Sequence, residues 1–282
     1  MRKLALAALA ASMFIASGVE AATYRLFVHG RSGDNHCTTS NWSSDVKNYW
    51  GGTVSGLSNV RYVGFDGTQS GGAYSWNNCG AQRQLYNALN TFCKGSNNCE
   101  IYTHSTGGLV AARFFRYYRP SSFGWNVNRV QLLANASGGS ELADLSTSYL
   151  GWLGFDTLGG ELDNSVSTSG ARSWDHNSAN GLTLFTTSGE GTDYLYATSP
   201  LLPGYDDGVL ANHSLCNINA VKDVETSCTT GNSRLRESYT CWKGWNPFAT
   251  CYRYYYRWTP YYTKWRGGGG HSHSDSKSDY NR

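Results

Sequence analysis

The sequence predicts an α/β fold in which a mostly parallel β-sheet is covered by helices. Short β-rich segments alternate along the chain with segments whose apolar residues recur at helical spacing. The chain has 282 residues, of which 15% are charged and 14% aromatic, so it can bury a core and does not have a disordered composition. No repeat or linker divides residues 22–282, which we expect to form one domain.

The predicted elements follow one another in strand–helix order. Strands are expected at residues 24–28, 60–65, 99–102, 130–134 and 182–186, and helices at residues 80–93, 106–118 and 140–150. The segment 216–266 is rich in Cys, Tyr and Trp, and residues 252–258 within it are a candidate for a late strand of the same sheet. We therefore treat this segment as a C-terminal extension within the same domain.

The first 21 residues have the pattern of a secretory signal peptide. Arg2 and Lys3 precede an apolar run, and the small residues Val19 and Ala21 predict cleavage after Ala21. The run is too short for a membrane span, although a retained anchor is the alternative. We expect a secreted or periplasmic protein without a transmembrane segment.

The eight cysteines fit an oxidising compartment. They are Cys37, Cys79, Cys93, Cys99, Cys216, Cys228, Cys241 and Cys251, and none forms a C-x-x-C pair. Cys93 with Cys99, and Cys216 with Cys228, would close short loops and are plausible disulfides. The net charge of +3 gives no indication of a nucleic-acid surface.

A serine lies between a predicted strand and a predicted helix. Ser105 is followed by Thr106 and a Gly-Gly pair, so a sharp turn would expose its hydroxyl beside a helix N-terminus. The segment departs from the G-x-S-x-G nucleophile elbow, because Thr103 stands where the first Gly is expected. The alternative is an ordinary helix-capping turn.

A second segment follows the first strand. His29-Gly30-Arg31 begins a polar loop, where backbone N–H groups could stabilise an oxyanion. The N–H groups of Arg31 and Thr106 are the natural pair. A His-Gly turn at a strand end is otherwise common.

A third segment could supply the acid of a catalytic triad. Asp206 and Asp207 precede Gly208, and a catalytic Ser needs a His whose ring is held by a carboxylate. The chain order of Ser, acid and His is that of the α/β-hydrolase fold. An Asp-Asp-Gly turn and a calcium-binding loop are the alternatives.

These segments, together with residues 136–144, resemble secreted bacterial lipases and related esterases of the α/β-hydrolase superfamily. The resemblance covers roughly residues 24–210 and rests on short motifs in a specific order. It implies that Ser105 is the nucleophile, Asp207 the acid, and Arg31 and Thr106 the oxyanion hole. It also matches the first-strand H-G of that family to residues 29–30.

The histidine base is expected after the last strand. His271 and His273 lie in a Gly-rich stretch that could bend back over Ser105, and we expect one of them to be the base. A disordered or metal-binding tail is the alternative. His213 lies close to Asp207 in the chain, which makes it a weaker candidate. We expect His104 to pack against the sheet.

These observations favour a secreted serine hydrolase of carboxylic esters, with lipids at a lipid–water interface as the expected substrates. No organic cofactor is needed, and a structural calcium ion is compatible with the sequence although no acidic run demands one. One alternative is an esterase acting on polymeric or glycan-linked acyl groups, because tryptophans can stack on sugars. Those tryptophans are Trp125, Trp152, Trp174, Trp242, Trp245, Trp258 and Trp265. The other alternative is a non-catalytic exported protein on the same scaffold.

Overall fold

The computed structural model describes a large part of the chain. The described residues are 21–31, 37–38, 41–44, 46–145, 160–173, 180–189, 191, 198–203, 206–211, 214, 234–243, 246–257, 261–266 and 272–281. The predicted signal peptide lies almost wholly outside them and stays a prediction. No helix within these ranges is long and apolar enough to cross a membrane.

The described strands form one eight-stranded sheet in the order β2-β1-β3-β4-β5-β8-β7-β6. Their bounds are β1 Thr23–Val28, β2 Val60–Val63, β3 Asn98–His104, β4 Val127–Leu133, β5 Leu184–Gly189, β6 Arg234–Lys243, β7 Asn246–Arg257 and β8 Tyr261–Arg266. Each neighbouring pair from β2 to β8 in this order is parallel. Strand β7 pairs antiparallel with both β8 and β6. The predicted α/β fold with a mostly parallel sheet is confirmed.

The described helices are mostly short, apart from two of twelve residues each. They are α1 Lys47–Trp50, α2 Ala81–Phe92, α3 Thr106–Tyr117, α4 Pro120–Phe123, α5 Glu141–Asp144, α6 Glu161–Val166 and α7 Thr168–Arg172. Further 3₁₀ turns lie at Gly51–Val54, Gly72–Tyr74, Ser199–Leu201 and Asp275–Asn281. The two long helices, α2 and α3, are the ones whose apolar spacing is clearest in the sequence.

Both faces of the central strands are buried. In β1, Leu26 and Val28 face one core and Phe27 faces the other, because successive side chains of a strand point to opposite sides. Helices α2 and α3 cover the first face. Trp50 and Tyr280, from α1 and the last 3₁₀ turn, cover the second. Burial on two faces explains why these strands read as continuous apolar runs.

The helix predicted at residues 140–150 is corrected by the structure. Helix α5 has four residues, and Leu145 after it has extended backbone. Asp144 accepts hydrogen bonds from the N–H and hydroxyl groups of Thr168, and Leu145 packs against a small apolar cluster around Leu142. These tertiary contacts end the helix early. Residues 146–150 lie outside the described residues.

The C-terminal segment contributes more of the sheet than the sequence predicts. The candidate strand at residues 252–258 lies within β7, with Trp258 outside the described residues. Strands β6 and β8 were not predicted, because charged and polar residues interrupt their apolar pattern. The strand that precedes His273 is therefore β8, not the segment 252–258.

Two disulfides lie within the described residues. Cys93–Cys99 confirms the short-loop prediction and ties the end of α2 to β3. Cys37–Cys79 spans 42 positions of the chain. The predicted Cys216–Cys228 pair lies outside the described residues.

Candidate active site

Ser105 occupies a strained turn between β3 and α3. Its backbone has φ 57° and ψ −126°, a conformation with positive φ that residues other than Gly rarely adopt. A Cβ at Gly107 would collide with the His29 carbonyl, and one at Gly108 would collide with Asn135. The Gly-Gly pair therefore lets α3 begin close to the ends of β1 and β4. This is the strand–turn–helix context that the sequence predicted for Ser105.

His273 and Asp207 form a buried pair. The distance from His273 Nδ1 to Asp207 Oδ2 is 2.9 Å, and the His273 N–H also donates to the Asp207 carbonyl at 2.9 Å. Asp207 has no exposed surface, and its Oδ1 accepts from the N–H groups of Val209 and Leu210 at 3.0 and 2.8 Å. Since a carboxylate only accepts, Nδ1 of His273 carries the proton, and the neutral ring keeps an acceptor at Nε2.

The side chain of Asp206, the adjacent carboxylate, forms its hydrogen bonds with other groups. Its Oδ1 accepts from the Ser199 hydroxyl at 3.1 Å and from the Gly208 N–H at 2.9 Å. Burial raises the pKa of Asp206. The structure therefore brings Asp207, and not Asp206, to the histidine. Both His271 and His213 lie outside the described residues.

The turn after β1 is held by its own histidine. His29 Nε2 accepts from the Phe65 N–H at 3.0 Å, so Nδ1 is the protonated nitrogen and donates to the Gly30 carbonyl at 2.6 Å. Arg31 binds Asp163 of α6 through Nε at 2.9 Å, with the two side chains 22% and 17% exposed. The turn is thereby held both to Phe65, two residues after the end of β2, and to α6.

These groups line one pocket of about 220 Å³. Ser105, Thr106, Arg31 and His273 belong to its lining. The lining also includes six apolar residues, termed the apolar wall: Ala136, Leu142, Ala143, Val166, Val209 and Leu210. The pocket therefore combines a buried serine, a histidine and candidate backbone donors with a surface that suits an apolar group.

Three lining residues belong to no motif in the sequence. Lys277 donates to the Tyr49 carbonyl, and Asp163 pairs with Arg31. They reach the pocket from segments far apart in the chain, so only the fold reveals them. His104, also in the lining, is 2% exposed, as expected for a residue packed against the sheet.

Among the described residues, no group of three or more His, Cys, Asp or Glu side chains is arranged to hold a metal ion. The structural calcium ion stays a prediction, and no site for it can be named within these ranges.

No protein-family model matches this sequence, and no curated protein matches it. Similar solved structures include phospholipase PlaB from Legionella pneumophila, at 18% identity and a TM-score of 0.46, covering 82% of this chain and 50% of that one. A second PlaB structure, in complex with thio-NAD, has 19% identity and a TM-score of 0.47, covering 89% and 52%. The metagenomic carboxyl esterase MGS0156 has 15% identity and a TM-score of 0.40, covering 66% and 58%. The chain spans roughly half the length of these proteins.

Proposed function

We propose that the protein is a secreted serine hydrolase that cleaves carboxylic esters with Ser105, His273 and Asp207. The observation that carries the proposal is the buried His273–Asp207 pair at 2.9 Å, whose histidine lines the same pocket as a serine on a strained strand-to-helix turn. A merely structural histidine and aspartate would not need to share a pocket with such a serine.

The proposed reaction proceeds in two halves. Ser105 Oγ attacks the ester carbonyl while Nε2 of His273 takes its proton, and Asp207 stabilises the imidazolium that forms. The N–H groups of Arg31 and Thr106 stabilise the oxyanion. The C–O bond to the alcohol then breaks, and the alcohol leaves with the proton from His273.

The acyl-enzyme is hydrolysed by the same groups. His273 deprotonates a water molecule, which attacks the acyl carbonyl, and a second oxyanion forms against the same two N–H groups. The bond to Ser105 Oγ breaks, Ser105 regains its proton from His273, and a carboxylic acid is released. No organic cofactor takes part in these steps.

The apolar wall supports an apolar acyl group as the part of the ester that enters the pocket. Each buried CH₂ group would contribute about 0.8 kcal/mol to binding, so esters of longer fatty acids gain most. The glycan hypothesis receives less support. Trp125, one of the tryptophans on which it depends, is 3% exposed and packs in the core near Phe114.

Export is part of the proposal. The signal-peptide pattern of residues 1–21 and the two disulfides both fit a secreted or periplasmic protein. N-terminal sequencing of the protein recovered from the periplasm or medium should read from Ala22. A chain recovered in the cytoplasm with residues 1–21 intact would contradict this part.

The decisive experiment is Ser105→Ala, assayed with p-nitrophenyl esters. We expect kcat to fall by about four to six orders of magnitude, since the nucleophile is removed. A fluorophosphonate probe should label the wild-type protein and leave the variant unlabelled. Ser122→Ala, at an exposed serine of α4, is the matched control and should keep full activity. Hydrolysis that survives Ser105→Ala would refute the triad and favour the non-catalytic hypothesis.

A second assay separates the substrate classes. Activity that rises from acetate to long-chain p-nitrophenyl esters, and extends to emulsified triacylglycerol, would support a lipase. Activity confined to soluble acetylated sugars would support the glycan-linked alternative and would contradict the lipid assignment.

A further inference from the structure

A pair of side chains outside the triad connects the two halves of the site. The Tyr49 hydroxyl lies 2.6 Å from Nδ1 of His104, and Nε2 of His104 lies 2.9 Å from the carbonyl oxygen of His273. The imidazole rings of His104 and His273 are 4.7 Å apart. The proposed reaction uses neither Tyr49 nor His104, although both line the pocket.

The hydrogen bonds fix the protonation of His104. The His273 carbonyl can only accept, so Nε2 of His104 carries the proton. A neutral imidazole has a single N–H, and Nδ1 therefore accepts from the Tyr49 hydroxyl. Burial, together with electrostatic repulsion from the His273 and Lys277 side chains, holds the pKa of His104 well below its usual range, so that its ring is neutral.

Tyr49 also reaches the turn after β1, residues 29–31, which carries the proposed Arg31 oxyanion donor. We call this turn the oxyanion turn. Burial raises the pKa of the Tyr49 phenol, and the neighbouring Gly30 backbone lowers it by a smaller amount. A Cβ at Gly30 would collide with the Tyr49 hydroxyl, so this close approach requires Gly.

The contacts form one chain of hydrogen bonds. It runs from the Tyr49 hydroxyl to Nδ1 of His104, and from Nε2 of His104 to the His273 carbonyl, while the Tyr49 hydroxyl also lies against Gly30. Lys277 holds Tyr49 in place, since its Nζ donates to the Tyr49 carbonyl at 3.0 Å and lies 4.2 Å from the centre of the Tyr49 ring. Because His104 directly precedes Ser105 in the sequence, this chain of hydrogen bonds passes next to the serine.

We propose that Tyr49 and His104 are positioning residues that hold the oxyanion turn and the His273 loop at a fixed separation across Ser105. This inference rests on the proposed function, because the separation matters only if both halves act on one substrate. Misplacement of a reacting group by about 1 Å can cost on the order of 100-fold in rate. Tyr49 and His104 would therefore act on kcat through the groups that they position.

The first test compares two replacements of His104. In His104→Gln, the side-chain amide can still donate to the His273 carbonyl from about the position of Nε2, whereas His104→Leu keeps the volume and loses the donor. We expect His104→Leu to lower kcat by about ten- to a hundredfold with KM changed less than about threefold. His104→Gln should recover most of the loss. Equal kcat in both variants, at equal thermal stability, would overturn the proposal.

The second test is a double-mutant cycle with Tyr49→Phe. If the two side chains act as one unit, the double variant Tyr49→Phe/His104→Leu should lose no more kcat than the more damaging single variant. Tyr62→Phe, at a buried tyrosine of the same hydrophobic cluster, is the control for loss of a phenolic hydroxyl. Strictly additive losses, or an equal loss in the control, would contradict a shared role.

A third measurement does not depend on activity. ¹⁵N-edited NMR of the imidazole side chains should show His104 protonated at Nε2 alone from about pH 5 to 8. A proton on Nδ1, or titration of His104 in this range, would overturn the hydrogen-bond chain. If Ser105→Ala leaves hydrolysis intact, the proposed function fails, and the NMR result alone then decides whether the chain exists.

Discussion

Replacing Asp207 by asparagine tests the central pair with almost no change of shape. One carboxylate oxygen of Asp207 faces Nδ1 of His273, and the other accepts from two backbone N–H groups, those of Val209 and Leu210. An asparagine side chain has one acceptor oxygen and one NH₂ group, so it cannot accept both from Nδ1 of His273 and from the two backbone N–H groups. If its oxygen stays with the backbone N–H groups, its NH₂ donates to Nδ1 and forces the proton of His273 onto Nε2.

The expected loss of kcat is set by whichever of two arrangements of the asparagine amide lowers the rate less. With the proton on Nε2, His273 cannot act as a base, and a wrong tautomer of this kind costs about four orders of magnitude in kcat. Flipping the amide restores the tautomer but leaves two buried N–H groups without an acceptor, at about 1–3 kcal/mol each. Asp207→Asn should therefore lower kcat by between about 30-fold and 10,000-fold, the rate equivalent of about 2.0–5.4 kcal/mol.

The assay is the hydrolysis of p-nitrophenyl butyrate, with thermal unfolding measured on the same samples. Asp206→Asn is the matched control, because Asp206 is the adjacent carboxylate and bonds to Ser199 and Gly208 instead. We expect the control to keep kcat within about threefold. A kcat for Asp207→Asn within tenfold of the wild type, at unchanged stability, would refute the assignment of Asp207.

Three further predictions follow from the same geometry. Asp163→Asn should lower kcat about fivefold, because its ion pair with Arg31 holds the oxyanion turn. Glu141→Gln, which removes a similar ion pair whose two members do not line the pocket, should not lower kcat, and equal losses would contradict this. Because the pKa of His104 is depressed in the folded state, only the unfolded chain takes up its proton below about pH 6.5. As the pH decreases below that value, His104 should lower the free energy of unfolding by up to about 1.4 kcal/mol per pH unit. Urea titrations of His104→Gln at several pH values should lack this pH dependence. Tyr280→Ala should lower Tm and kcat together, since the aromatic ring anchors the segment that carries His273; a fall in Tm alone, measured by calorimetry, would argue against this coupling.

The parts of the site that could be predicted are those with a local pattern. Ser105 stands between an apolar strand and an apolar-periodic helix, and parallel strands bring their carboxyl ends to one edge of the sheet. The position of Ser105 relative to the turn at Gly30 therefore follows once the strands are recognised. The structure also brings one of the two predicted tail histidines, His273, to Asp207.

The remaining parts depend on contacts between distant segments. Asp163 meets Arg31 across 132 positions, and Tyr49 meets His104 across 55, with no motif at either end. Strand β8 was missed because its residues, Tyr261–Arg266, lack the apolar run of a buried parallel strand. Helix α5 was predicted too long because the apolar spacing after Ser140 gave no sign that Asp144 would bind Thr168 instead.

The order of the strands has a consequence for how the chain assembles. Strand β8 pairs directly with β5, while β6 and β7, which precede it in the chain, lie farther out. A polypeptide that emerges in sequence can form the β6–β7 hairpin early, yet it has no sheet edge to dock on until β8 has been inserted. Since His273 follows β8 by a few residues, insertion of that strand and delivery of the histidine to Asp207 would be a single late event. The protein would then complete its scaffold and acquire reactivity at the same moment of folding.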